Sequence, residues 1–169
     1  MPAQVFGADA VVTSLNLALN GAGYSLSPAA YASQVAQATA NATLYANTIA
    51  GTFNAAYPTS SAFATLALGN MGVLPNPDLV AGVAGYMDSV GIANRGVVVW
   101  QLAQILSGME GDANFGAAAA AWNNQVAASF QSWSAGPGSA FAMTGTANET
   151  LNGTGGNDSF SGSSGTYQG

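Results

Sequence analysis

The chain contains no histidine, no cysteine and no lysine, and its only cationic side chain is Arg95. Without imidazole or thiol there is no histidine base, no thiolate nucleophile and no ordinary zinc, haem or iron–sulfur site. Without lysine there is no Schiff base and no P-loop phosphate clamp. One arginine against seven acidic residues gives a formal net charge of −6 and leaves no basic face for nucleic-acid phosphates. Charged residues make up 5% of the 169 positions, against about 25% in an average soluble domain. Long apolar runs are missing too. Val97-Val98-Val99-Trp100 and Ala117 to Trp122 fall far short of the ~20 residues that span a bilayer, so no membrane insertion is expected. Met1 to Asp9 holds no basic residue, and no long apolar run follows it. No Sec-type signal peptide is expected, and the protein is read as soluble or as exported without an N-terminal signal.

Ala, Gly, Ser, Thr and Asn fill the places that charges usually take, while apolar residues stay at an ordinary 49%. The length suits one domain or one domain with a tail. Residues 1–133 carry helical periodicity and read as a helical domain. Residues 134–143 read as a linker, opening on Ser134-Ala135-Gly136-Pro137-Gly138-Ser139. In residues 144–169, 19 of 26 are Gly, Ser, Thr or Asn, too polar to build a packed core of their own.

The spacing predicts six helices. The first covers about 8–19, with Val12, Leu15 and Leu19 on one face and Gly21 as its stop. The second starts at Ser27-Pro28, a cap followed by proline where a missing N–H costs nothing. It runs through Tyr31, Val35, Ala38, Ala42, Tyr45, Ile49 and Phe53 in steps of three and four. Thr59 or Ser60 caps the third, which carries Phe63 and Leu66 and ends near Gly69-Asn70. Asn76-Pro77-Asp78 opens the fourth, with Leu79, Val83 and either Tyr86 or Met87 inward. Asn94 is placed to cap the fifth, whose stripe is Val98, Leu102, Ile105 and Met109. Asp112 or Asn114 opens the sixth, with Phe115, Trp122, Val126, Phe130 and Trp133 aligned. Short connections favour antiparallel neighbours, and abundant Ala and Gly allow close backbone approach. The fold expected is all-α, a compact bundle of about six helices followed by the polar tail.

The tail contains an internal repeat. Residues 144–152 align with 153–161, so that Asn148 matches Asn157, Glu149 matches Asp158 and Leu151 matches Phe160. The second copy, with Gly153, Gly156 and Asp158 followed by Phe160, resembles the RTX (haemolysin-type) calcium-binding nonapeptide. In that family a Gly-rich loop offers carbonyls and an Asp to calcium, and the next apolar residue faces the inside of a β-roll. Calcium takes six to eight oxygen ligands, and glycines let a tight turn aim carbonyls at one point. The resemblance therefore implies Ca2+ as cofactor, with Asp158, Glu149, Asn157 and Gly156 as ligands. Thr154 stands at one glycine position, and Glu149 and Ala147 replace Asp and Gly in the first copy. Two nonapeptides make a single turn, whereas a family site takes loops from successive turns. The tail is therefore either a stub without fold or the start of a longer array.

A charge-poor helical domain followed by such a repeat resembles the N-terminal region of bacterial RTX-type surface-layer proteins. The run from Asn94-Arg95-Gly96-Val97 through Glu110-Gly111-Asp112 to Ala121-Trp122-Asn123 adds to the likeness. The resemblance implies type I secretion, a place at the cell surface, self-assembly as a homo-oligomeric lattice or filament, and attachment to lipopolysaccharide. The other reading that stands is a calcium-binding or adhesive N-terminal module of a larger RTX protein. No catalytic residues are assigned, and an enzyme is not expected. Ser and Thr are abundant, but no base activates them and no Gly-x-Ser-x-Gly elbow occurs. Glu110 and Asp112 are the only close carboxylate pair and could serve glycoside hydrolysis in principle. Their plainer role is to end one helix and cap the next. They also resemble half of an EF-hand loop, but position 121 is Ala where that loop needs Glu. Arg95 is expected to pair with Asp78, Asp88 or Glu110, or to reach a neighbouring subunit.

Overall fold

The computed structural model describes residues 5–135. Among these the chain is entirely helical, with α1 (Gly7–Asn20), α2 (Pro28–Ala40), α3 (Ala42–Gly51), α4 (Ser60–Asn70), α5 (Pro77–Val90), a 3-10 turn (Ile92–Asn94), α6 (Arg95–Ser107) and α7 (Gly116–Ser134). The RTX-like tail and all but the start of the 134–143 linker lie outside the described residues.

The all-α expectation holds, but there are seven helices rather than six, because the second predicted helix is two. At Asn41 the backbone turns extended, with φ −160° and ψ 97°. The Asn41 N–H still closes α2 on the Gln37 carbonyl at 3.0 Å, while its Oδ1 accepts from Leu44 N at 2.9 Å and starts α3. One asparagine thus ends one helix and caps the next, a competition with backbone hydrogen bonding in which Asn excels. The three-four spacing runs through the break, so periodicity could not reveal it. Tyr31, Ala38 and Tyr45 are buried, and Val35, Ala42, Ile49 and Phe53 pack against the core. The break lets the two halves wrap around α1.

α1 is the central helix. It touches α2, α3, α4, α6 and α7, and every residue from Val11 to Leu19 is buried. A helix buried all round is the expected form for a bundle's axis. The predicted face of Val12, Leu15 and Leu19 is therefore only part of what faces inward. Thr13, Ser14 and Asn16 are inside as well, and each finds a partner, as buried polar groups must. Tyr31 Oη donates to Asp9 Oδ1 at 2.7 Å and meets Thr13 Oγ1 at 3.2 Å. Asn16 Nδ2 reaches Gln34 Oε1 at 2.7 Å, the Val12 carbonyl at 2.9 Å and Tyr45 Oη at 3.1 Å. Tyr45 Oη donates to Gln34 Oε1 at 2.6 Å, and the Ser14 hydroxyl donates to the Ala10 carbonyl. Asp9, Thr13 and Asn16 stand at steps of four and three, so a polar seam runs up one side of α1 against α2 and α3.

The cap at Ser27 forms as expected, accepting from Ala30 N at 3.3 Å, and so does that at Asn76, accepting from Leu79 N at 3.0 Å. Of the alternatives at the third predicted helix, Thr59 is the cap. Ser60 turns inward. Asn94 does not cap α6: its Nδ2 donates to the Val90 carbonyl. The capping acceptor comes instead from another helix, Asn47 Oδ1, which receives Val97 N at 3.2 Å. The stripe expected on α6 is also rotated. The buried residues are Arg95, Gly96, Val98, Val99, Ala103 and Leu106, while Ile105 is 61% exposed. Apolar residues lie nearly all round this helix, so several stripes fit the spacing equally well. On α5, Met87 is buried and Tyr86 faces out. On α7, Trp122 and Trp133 are buried, and Trp133 meets Tyr24 edge-on at 6.1 Å between ring centroids.

Helices α3 and α6 come so close that only glycine fits at position 96. A Cβ there would sit inside the van der Waals shell of the Ala46 carbonyl, on backbone that cannot swing aside. Gly96→Ala is expected to destabilise the domain by about 3 kcal/mol or more, at the upper end of overpacking effects, measured as a fall in urea midpoint.

Burial pushes the Tyr31 and Tyr45 phenols well above their ordinary value, with Thr13 and Asn16 offsetting part of the rise and Asp9 adding to it at Tyr31. The folded chain thus keeps these protons where the unfolded chain loses them, near pH ~10. Their contribution is complete below that pH and is lost as pH rises through the interval between the unfolded and folded values. No lysine or thiol titrates in the same range. Stability measured by urea denaturation is expected to drop above pH ~10. The double variant Tyr31→Phe, Tyr45→Phe should be weaker at neutral pH and show a shallower alkaline fall.

Candidate functional site

The one cationic side chain lies inside the fold. Arg95 is 3% exposed. Its Nη1 donates to the Tyr57 carbonyl at 3.1 Å and to Asn54 Oδ1 at 3.2 Å; its Nη2 donates to Ser60 Oγ at 3.0 Å and to the Pro58 carbonyl at 3.1 Å. The guanidinium lies over the Phe63 ring, 5.3 Å from its centroid. Nε has no partner among the described residues. The expected pairing with Asp78, Asp88 or Glu110 is not direct. Only Asp88 is linked, through Ser60, whose hydroxyl donates to Asp88 Oδ1 at 2.5 Å. Arg95 ties the start of α6 to the α3–α4 connection and the first turn of α4. It is not available to a ligand.

Two recesses formed by the described residues stand out. A groove of about 280 Å³ runs between α5 and α6, walled by Leu79, Val83, Tyr86, Val98, Leu102 and Ile105. The Val98–Leu102–Ile105 stripe thus faces this groove, which explains why Ile105 and Tyr86 stay exposed.

The second recess is a cleft of about 880 Å³ at the end of the bundle where α1 begins, α2 gives way to α3, and α6 ends, with the middle of α7 as its far wall. Phe6, Val11, Trp100, Trp122 and Val126 give it apolar walls. Small residues on three elements, Ala10, Ala38 and Ala103, leave the space open. Among the described residues, Glu110 is the only charged one along it. Glu110 does not end a helix, as the sequence suggested, but sits in the turn after α6. Gly116 lets that turn pass close, since a Cβ there would lie 2.7 Å from the Glu110 carbonyl oxygen. Asn123 Nδ2 donates to Glu110 Oε1 at 2.7 Å and to the Ser107 carbonyl at 2.9 Å, while Ser107 Oγ donates to Asn123 Oδ1 at 2.5 Å. The carboxylate is therefore oriented by an amide that is itself locked.

Asp112 serves the turn instead. Its Oδ1 accepts from Phe115 N at 2.9 Å and Asn114 N at 2.8 Å, and these bonds hold its carboxyl below the usual carboxylate range. Asp112 opens the approach to α7, but the helix begins only at Gly116. Glu110 and Asp112 thus make separate hydrogen bonds, one to Asn123 and the other to the turn amides.

Among the described residues no three acidic side chains cluster closely enough to hold a metal ion. The calcium ligands expected from the sequence, Asp158, Glu149, Asn157 and Gly156, lie outside the described residues. No described helix is long and apolar enough to cross a membrane. Comparison with protein-family models, with curated proteins and with solved structures gives no match.

The cleft was not foreseen in the sequence. Its residues come from four separate stretches, and nine of the nineteen are Ala, Ser or Gly, which carry no signal. One member is unusual. The Trp100 indole Nε1 is buried and meets no acceptor among the described residues. An unpaired buried donor costs about 1–3 kcal/mol. Trp100→Phe removes that donor while keeping an aromatic ring, so it is expected to cost under about 1 kcal/mol. Trp122→Phe, at a position 2% exposed, is expected to cost about 2 kcal/mol through the cavity it opens. Urea denaturation of the two variants side by side checks the difference.

Proposed function

We propose that the chain is a non-enzymatic structural protein that assembles with copies of itself into a lattice or filament. Its place would be the bacterial cell surface or the extracellular space, reached by type I secretion. The observation that carries the reading is the burial of Arg95. With it inside, the described charges left at or near the surface, Asp9, Asp78, Asp88, Glu110 and Asp112, are all acidic and few. Copies then have no opposite charges to pair, and few ions need to be stripped of water on contact. Contact between copies falls to apolar and neutral polar groups. Large apolar side chains outside the cleft are available for it: Leu44 is 63% exposed, Ile105 61%, Ile92 52% and Tyr86 51%. A sparse charge gives little protection against association. Heterologous contacts between such patches propagate without closing.

The RTX-like repeat supports a calcium role in the same reading. Asp158, Glu149, Asn157 and Gly156 would contribute ligands, with the set completed by a neighbouring loop or copy. A divalent cation would also relieve repulsion between acidic subunits. Attachment to lipopolysaccharide, if it occurs, would run through calcium or through Asn, Ser and Thr, since Arg95 is committed. The second reading, an N-terminal calcium-binding or adhesive module of a larger RTX protein, is favoured by the cleft beside Glu110.

Analytical ultracentrifugation of the full chain across protein and calcium concentrations tests the proposal. Ordered species are expected to grow with protein concentration, to be promoted by calcium and to change little with sodium chloride. Ile105→Glu should shift them towards monomer, and Asp158→Ala should blunt the calcium effect. A single monomer boundary throughout, with no particles on a grid, would favour the second reading.

A further inference from the structure

We propose that the cleft between α1, the α2–α3 junction, α6 and α7 binds a small amphiphilic cation: an ammonium head beside Glu110 and an aliphatic or aromatic body along the Phe6, Trp100 and Val126 walls. The volume, about 880 Å³, lies within the range of small-molecule sites. The sign of the head group follows from the ends of the helices. α1 and α3 present their N-terminal ends to the cleft, through Gly7 and Ala42. α2 and α6 present their C-terminal ends, through Thr39 and Ser107. Each end carries a partial charge of about half a unit, positive at the two N-termini and negative at the two C-termini. The four contributions cancel to first order, and the full negative charge of Glu110 is left to set the potential.

Arg95, the one cationic side chain, is enclosed elsewhere by the 54–60 segment. Asn123 occupies only Oε1 of Glu110, so Oε2 has no donor among the described side chains, and the exposed carboxylate at the cleft rim keeps an acceptor for an ammonium head. The aromatic side chains in the cleft add to the preference, because their ring faces attract cations. The body of the ligand meets a wall that is mostly Ala, Val and aromatic carbon, where burial of apolar surface supplies most of the affinity. The site is independent of the assembly proposed above.

The test uses three eight-carbon probes that differ only in the head: n-octylammonium, 1-octanol and octanoate. Each is titrated into the full chain at protein concentrations where it sediments as a monomer, below the probe's aggregation threshold and at levels that leave the far-UV circular dichroism unchanged. Calorimetry and tryptophan emission give the affinities, Trp100 and Trp122 being in the cleft wall. Octylammonium is expected to bind about five- to tenfold more tightly than octanol, and octanoate more weakly than both. Glu110→Gln should bring octylammonium down to the octanol value and leave octanol unchanged. Thr39→Trp, at an exposed position on the rim, should weaken all three. Equal affinity for the three heads, a preference that survives Glu110→Gln, or no binding at millimolar probe to the folded protein would each overturn the proposal. So would binding of a short Lys-Leu peptide without binding of octylammonium, which would assign the cleft to a protein partner.

Discussion

The buried guanidinium of Arg95 is the interaction on which the arrangement of the outer helices depends. It gathers two backbone carbonyls, an amide and a hydroxyl from the 54–60 segment, and rests on the Phe63 ring. Residues 54–59 have no regular structure to satisfy their carbonyls, and backbone acceptors beside the core need partners. Arg95 meets that need with charge-assisted bonds, stronger than neutral ones. The residue beside it, Gly96, lets α6 lie against the α3 backbone, and Asn47 of α3 then caps the α6 amide at Val97. Three consecutive residues thus fix α6 to α3 and α4. Asp88 on α5 joins the same cluster through Ser60.

The second organising element is α1. A fully buried helix that also carries Thr13, Ser14 and Asn16 would be costly if those groups were unpaired. Tyr31, Gln34 and Tyr45 on the wrapping helices complete Thr13 and Asn16, and the Ala10 carbonyl of the same helix completes Ser14. The seam fixes the register of α2 and α3 against α1 in a way that Ala-rich apolar packing alone would not. Small side chains fit in many offsets, whereas a hydrogen-bonded seam fits in few. The Asn41 break serves that arrangement, because a straight helix from 28 to 51 would carry Tyr45 away from Asn16.

These two internal devices leave a surface of unusual chemistry. The cation is spent inside, the accessible charges are acidic and sparse, and the rest is Ser, Thr, Asn, Gln and scattered apolar side chains. Such a surface resists neither like copies nor apolar ligands strongly. The proposed self-assembly, through exposed side chains such as Tyr86 and Ile105, and the proposed ligand binding in the cleft by Glu110 would use different parts of the surface. Neither calls for general acid–base or nucleophilic chemistry.

The sequence by itself determined the class of fold, the starts of most helices and the caps at Ser27 and Asn76, and it narrowed a third cap to Thr59 or Ser60. Those features are set locally, by proline geometry, short polar side chains and apolar spacing. It also placed Trp122 and Trp133 in the core, because large aromatics at helical spacing have few other places to go. The tertiary structure decided everything that depends on a partner distant in the chain. Asn41 breaks a stripe that reads as continuous. Asn47, not Asn94, caps α6. The inward face of α6 is one residue away from the stripe its spacing suggests, because a helix apolar nearly all round takes its orientation from Gly96 against Ala46. Arg95 chose carbonyls and a hydroxyl over the carboxylates, and no count of charges could show that. The cleft exists only because the ends of four helices and one turn meet around small residues, and that meeting leaves no periodic trace.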